Sequence, residues 1–133
     1  MKRIVITGIG LVTSIGDGVK ATWENLISCK SGIKKISTFE TEDLPCKIAG
    51  NIRHHSKENN FFDEEKYFNK KDLKRNDRFI LYGLAAAEQA IKDSGIDILS
   101  EVSKLRIGVT VGSGIGGLET IYNGSITLNE RGT

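Results

Sequence analysis

Cysteine and histidine are the residue types in this chain best suited to nucleophilic or metal chemistry. There are two of each: Cys29, Cys46, His54 and His55. The cysteines have neither C-x-x-C spacing nor a metal-ligand pattern, and a reactive thiol needs an exposed, electropositive setting. The adjacent histidines fall in the polar run NIRHHSKENN, which is typical of a solvated loop. We therefore expect no catalytic residue and no metal site among these four residues.

A glycine-rich turn is the second feature that could do chemistry. The run RIGVTVGSGIGGLETI is typical of a strand, a turn and a helix, with Gly112, Gly114 and Gly117 at G-x-G-x-x-G spacing. A dinucleotide fingerprint also needs a second strand and an acidic residue about 20 positions further on, and only 16 residues follow Gly117. Nucleotide binding therefore stays an alternative with weak support. The same glycines also fit a strand-to-helix turn in a crowded interior, with Ile115 as an ordinary core residue. A more specific interpretation is that they leave room for a substrate beside Ile115.

The third feature is a local concentration of positive charge. Six basic residues fall within thirteen positions: Lys66, Lys70, Lys71, Lys74, Arg75 and Arg78. Helical spacing puts Lys71, Lys74 and Arg75 on one face. Such a cluster either attracts an acidic partner or is a solvated surface. At the start of a helix, each of these positive charges interacts unfavourably with the helix dipole, at a cost of roughly 0.3–1 kcal/mol in stability. This cost indicates that the charges have a function other than stability.

The composition of the chain limits the functions that these three features could have. The chain has 133 residues, 38% hydrophobic and 27% charged, with a net charge of +2. These values are typical of a globular protein and exclude a polycation that binds nucleic acid through its overall charge. The basic, apolar N-terminus has no signal-peptide cleavage pattern, and no segment approaches the roughly 18 apolar residues that span a bilayer. We expect a cytoplasmic protein.

The elements that must position these residues follow from the apolar periodicity. The predicted order is strand, helix, weak strand, long helix, strand and helix, at residues 3–7, 17–28, 47–52, 72–94, 106–111 and from 117 onward. Gly95 is a predicted C-cap of the long helix. Its alanine run at 85–87 would let another helix approach closely. The alternation predicts an α/β domain with a largely parallel sheet.

Four segments carry a resemblance to a known family. They are RIVITGIGLVTSIGDGV, TWENLISCKSGI, DRFILYGLAAAEQAIKDSGI and RIGVTVGSGIGGL. In this order they resemble the N-terminal third of a β-ketoacyl-acyl-carrier-protein synthase of the type II elongating kind. The resemblance implies that residues 1–133 form one incomplete segment of the N-terminal half of a thiolase-like α-β-α-β-α fold. It implies a homodimer that condenses acyl chains with malonyl-carrier protein and requires no cofactor.

The resemblance also assigns roles to individual residues. Ile115 matches an isoleucine that lines the acyl pocket, and Lys71, Lys74 and Arg75 match positions that bind the acidic acyl carrier protein. The family's nucleophilic cysteine and two histidines have no matching motif in this sequence, so we expect the chain to be inactive and poorly stable alone. A non-catalytic carrier-binding module, or a remnant of an enzyme, is the alternative.

Overall fold

The computed structural model describes residues 3–52, 62–96, 103 and 105–132. In chain order, its elements are β1 (Val12–Thr13), β2 (Gly16–Asp17), α1 (Val19–Ile27), β3 (Lys34–Lys35), β4 (Ile48–Ala49), a 3₁₀ turn (Glu64–Lys66), α2 (Lys70–Arg75), α3 (Arg78–Ser94) and α4 (Leu118–Arg131). None of the helices in this part of the chain has both the length and the apolar composition needed to cross a membrane.

A tight hairpin leads into helix α1. Strands β1 and β2 pair antiparallel, with Thr13 opposite Gly16. Gly18 then turns the chain with a φ of 89°, a conformation that favours glycine. The buried side chain of Asn25 donates a hydrogen bond from Nδ2 to the Ile15 carbonyl, which ties the helix to the hairpin. The helix predicted in this region is confirmed.

The single long helix predicted over 72–94 is wrong at its start. The structure has a short helix, α2, and then α3, separated by Asn76 in extended backbone at φ −115° and ψ 137°. Asn76 donates from its side chain to the Asp72 carbonyl, and Asp77 follows as the N-cap of α3. Asparagine and aspartate compete with helical hydrogen bonds in this way. The predicted end is confirmed, since Gly95 caps α3 at φ 64°.

The predicted strands differ most from the structure. Residues 3–7 and 106–111 form no strand in the described chain, and the two ladders present are antiparallel rather than parallel. The weak strand at 47–52 is confirmed in its centre as β4, which pairs with β3. A buried strand needs neighbouring strands and covered faces, but Ile4 is 95% and Val109 is 87% exposed. Helices and small sheets together still give α/β content.

The small core lies along α3. Its buried apolar residues are Phe62, Leu81 and Ala85. The alanine run accommodates a close neighbour, as expected, but that neighbour is the N-terminal segment rather than a helix. A Cβ placed on Gly10 would lie 1.8 Å from the Ala86 carbonyl oxygen, and one on Gly8 would lie 2.3 Å from that of Ala90. Two glycines therefore let this segment pack directly on the backbone of α3.

Candidate functional site

The basic residues singled out in the sequence lie on and around α2. Lys71, Lys74 and Arg75 all belong to this helix and all are exposed. Because α2 ends at Arg75, Lys74 and Arg75 occupy its last turn, where positive charge interacts favourably with the helix dipole. The expected conflict with the dipole is therefore wrong for Lys74 and Arg75, because the helix ends at Arg75. It remains for Lys70 and Lys71, which lie in the first turn of α2.

The N-terminus of α2 is fixed by a side-chain cap. Asn69 Oδ1 accepts hydrogen bonds from the backbone N–H groups of Lys71, at 2.9 Å, and Asp72, at 3.0 Å. Such caps contribute about 1 kcal/mol. This contribution matters here because α2 has six residues and none of them is buried. A helix this short is marginal without caps and tertiary contacts.

Just before the cap, Tyr67 joins a hydrogen-bonded cluster with Asp17 and Gln89. The Tyr67 hydroxyl donates to the Asp17 carboxylate at 3.1 and 3.2 Å from its two oxygens. Gln89 Nε2 donates to Asp17 Oδ1 at 2.8 Å and to Tyr67 Oη at 2.9 Å, and Gln89 Oε1 accepts from the Leu11 amide at 3.0 Å. We call Asp17, Tyr67 and Gln89 the anchor cluster. It connects the N-terminal hairpin, the segment before α2, and α3.

The glycine turn lies close to the other end of α2. Ile115 and Gly116 line a cleft of about 200 Å³ together with Asp77, Arg78 and Phe79. A Cβ on Gly116 would lie 2.4 Å from the Phe79 ring, so any other residue here would require the ring to move. Ile115 itself is 77% exposed. The structure thus brings the pocket candidate next to the start of α3, two residues beyond the basic helix.

The N-terminus of α4 bears on the nucleotide alternative. Thr120 donates from its hydroxyl to the Asp77 carboxylate, and a Cβ on Gly117 would lie 2.9 Å from Asp77 Oδ2. A carboxylate therefore already occupies the end of the helix where the fingerprint would bind a pyrophosphate. Its negative charge repels phosphate, and this geometry argues against nucleotide binding.

Both cysteines lie at exposed positions of the described chain. Cys29 is exposed just after α1, and Cys46 is exposed with its Sγ donating to the Ile48 carbonyl at 3.3 Å. His54 and His55 lie outside the described residues. Within the part of the chain that is described, no group of three or more potential metal ligands occurs.

Comparison with known proteins identifies the family. The family model described as "Beta-ketoacyl synthase, N-terminal domain" matches residues 1–133. The chain belongs to the β-ketoacyl synthase family. This finding confirms the resemblance drawn from the four sequence segments, and it makes the chain part of a ketosynthase.

The curated relatives agree with this family assignment. The chain is 41% identical over 131 residues to a 3-oxoacyl-[acyl-carrier-protein] synthase 2 of Vibrio cholerae and 38% identical over 132 residues to that of Rhizobium meliloti. It is 41% identical over 131 residues to that of Staphylococcus aureus strain COL. These matches cover 98%, 99% and 98% of this chain. The chain spans 30 to 31% of the length of these ketosynthases.

Proposed function

We propose that this chain is the N-terminal segment of an elongating 3-oxoacyl-[acyl-carrier-protein] synthase, in which it binds the carrier protein and lines the acyl pocket. The main support for this function is the exposed basic surface of α2, which lies beside the cleft at Ile115. The names of the relatives support the carrier as partner, since each is an acyl-carrier-protein synthase.

The docking residues in this proposal are Lys71, Lys74 and Arg75. All three are exposed, and Asp72 is the only acidic residue of α2. An acidic carrier that approaches this helix meets complementary charge, which raises the association rate and orients the complex. The carrier holds its acyl chain as a thioester, and the cleft two residues further along the chain is where the acyl group would enter.

The acyl-pocket residue in this proposal is Ile115. Its side chain is apolar and largely exposed toward open space, and Gly114 has no atom of another segment within 4 Å of a Cβ position. Covering Ile115 with an acyl chain would remove apolar surface from water, at about 25 cal/mol per Å². The rest of the pocket and the catalytic cysteine and histidines belong, in this proposal, to the remainder of a homodimeric, thiolase-like, cytoplasmic enzyme.

The experiment that tests carrier docking is charge reversal in the protein as its source cell makes it. Lys71→Glu, Lys74→Glu and Arg75→Glu are combined and compared with Lys34→Glu, Lys35→Glu and Lys47→Glu, which make the same charge change at exposed positions on or beside the β3–β4 ladder. We expect the first set to slow association with an acidic acyl carrier protein by about tenfold or more at low salt. Equal effects of the two sets would refute docking at α2.

A non-catalytic carrier-binding module is the second candidate, since the exposed basic residues of α2 would serve it equally well. The two candidates separate on intact mass and condensing activity of the source protein. A ketosynthase of the relatives' length is about three times the 14.6 kDa of this chain and condenses acyl with malonyl thioesters. A 14.6 kDa product that binds carrier without condensation would favour the module.

A further inference from the structure

Helix α2 carries the proposed docking surface but has little that fixes its own position. None of its six residues is buried. Its basic side chains are exposed, so they do not pack the helix against the rest of the molecule. Only Asp72 and Leu73 are half-buried, so the residues that flank the helix must contribute much of what fixes its orientation.

The anchor cluster lies immediately before α2. Tyr67 is two residues from the cap residue Asn69, and its ring stacks on buried Phe62 with centroids 5.6 Å apart. Its hydroxyl is the donor to Asp17 and the acceptor from Gln89. These partners are 50 and 22 residues away in sequence, so the contacts fix the start of α2 relative to the rest of the molecule rather than only to its neighbours.

The anchor cluster provides hydrogen-bond donors to a nearly buried carboxylate. The Asp17 side chain is only 9% exposed, and a buried carboxylate requires well-placed donors. The Tyr67 hydroxyl and the Gln89 amide supply them, while Lys66 Nζ lies 4.0 Å from Asp17 Oδ2. Lys66 also lies over the Tyr67 ring at 5.0 Å from its centroid. The anchor cluster therefore also has one cation of the basic cluster, Lys66, beside it.

We propose that Tyr67 is a positioning residue for carrier docking: its hydroxyl, held by Asp17 and Gln89, fixes the direction in which α2 presents Lys71, Lys74 and Arg75. This inference rests on the proposed carrier docking. Loss of the hydroxyl leaves every basic residue present but lets the helix depart from the orientation that matches the carrier. The effect falls on substrates that arrive on a carrier and not on thioesters that arrive free.

The test is Tyr67→Phe in the source protein, with Tyr122→Phe as the matched control, since Tyr122 is an exposed tyrosine on α4. Steady-state condensation is measured with an acyl group on acyl carrier protein and with the same acyl group on a small, protein-free thiol. We expect KM for the carrier-borne substrate to rise about three- to tenfold in Tyr67→Phe, the range of one typical lost hydrogen bond. The kcat values, the constants for the free thioester and the control stay unchanged.

The outcomes separate the two proposals. An unchanged KM for the carrier-borne substrate, or an equal loss with both substrates, would overturn the positioning role of Tyr67. If the charge reversals at Lys71, Lys74 and Arg75 are also without effect, carrier docking at α2 fails as well. If Tyr67→Phe does not fold, Gln89→Asn shortens the amide away from the Tyr67 hydroxyl and is measured with the same pair of substrates.

Discussion

Tyr82 offers a test at the scale of one residue. It lies in α3 with its ring edge-to-face against Phe62, centroids 5.3 Å apart. Burial raises the pKa of Tyr82 above its ordinary value of 10.0, although the positive charge of Arg78 lowers it and the negative charge of Glu64 adds to the rise. The phenol is therefore kept neutral by the fold to a higher pH than in the unfolded chain.

The sign of the pH effect follows from that direction. A group with a raised folded-state pKa stabilises the protein fully below its unfolded pKa, and the contribution is lost as pH rises through the folded value. We expect the tyrosinate absorbance titration of the wild type, minus that of Tyr82→Phe, to have its midpoint above 10.0. Between pH 10.0 and the folded-state pKa of Tyr82, the unfolding free energy of the wild type should also fall more steeply than that of the variant. A difference midpoint at or below 10.0 would contradict the assignment.

Single residues also explain which parts of the site could be predicted from sequence. The basic residues and Ile115 were identified from local patterns and from the family resemblance. The anchor cluster was missed because Asp17, Tyr67 and Gln89 come together only through contacts across 22 to 72 residues of chain. The one local signal was a tyrosine within the charged run EEKYFNKK, which by itself does not identify a partner.

At the scale of elements, the packing of the N-terminal segment on α3 rests on two glycines. A Cβ at Gly10 would lie 1.8 Å from the Ala86 carbonyl oxygen, which is backbone and has no room to move aside. We expect Gly10→Ala to lower the free energy of unfolding by about 1–3 kcal/mol, the usual cost of overpacking. Gly83→Ala is the matched control. Gly83 lies within α3 itself, the helix on which Gly10 packs, and has nothing within 4 Å of its Cβ position.

The two alanine substitutions should act in opposite directions. An alanine in the helix interior loses less backbone entropy on folding than glycine, so Gly83→Ala should stabilise by about 0.5–1 kcal/mol. Urea unfolding of the source protein measures both changes. Equal effects of the two variants would show that residues 8–10 do not pack on α3 as described.

Helices were predicted better than strands for a physical reason. The helix α1, the start of α4 and the cap at Gly95 depend on apolar periodicity and glycine signals within a few residues. The break at Asn76 was missed because the apolar and charged pattern runs through it, and only the Asn76 side chain shows the competing hydrogen bond. A strand depends on a partner strand, which sequence periodicity at 3–7 and 106–111 does not supply.

At the scale of the whole molecule, the described chain leaves much of its apolar surface uncovered. The two segments with a buried-strand pattern contain several of the most exposed aliphatic side chains of the described chain, at Ile4 (95%), Ile6 (84%), Val109 (87%) and Val111 (81%). Helix α4 has no buried residue either. Exposed extended segments of this composition are templates for pairing with another chain.

This surface leads to a prediction for residues 1–133 produced alone. We expect the polypeptide to associate with itself as its concentration rises and to lack a cooperative thermal transition, because pairing of the exposed segments replaces a closed core. Sedimentation velocity across a concentration series and calorimetry measure the two properties. Ile4→Lys with Val109→Lys should reduce the association, since charge on an exposed strand opposes edge pairing. Lys substitutions at Ile27 and Leu44, which are also exposed but lie outside these segments, should reduce it less. A monomer that melts cooperatively would show that the described elements already form a complete folding unit, and the proposed dependence on the rest of a synthase would then be wrong.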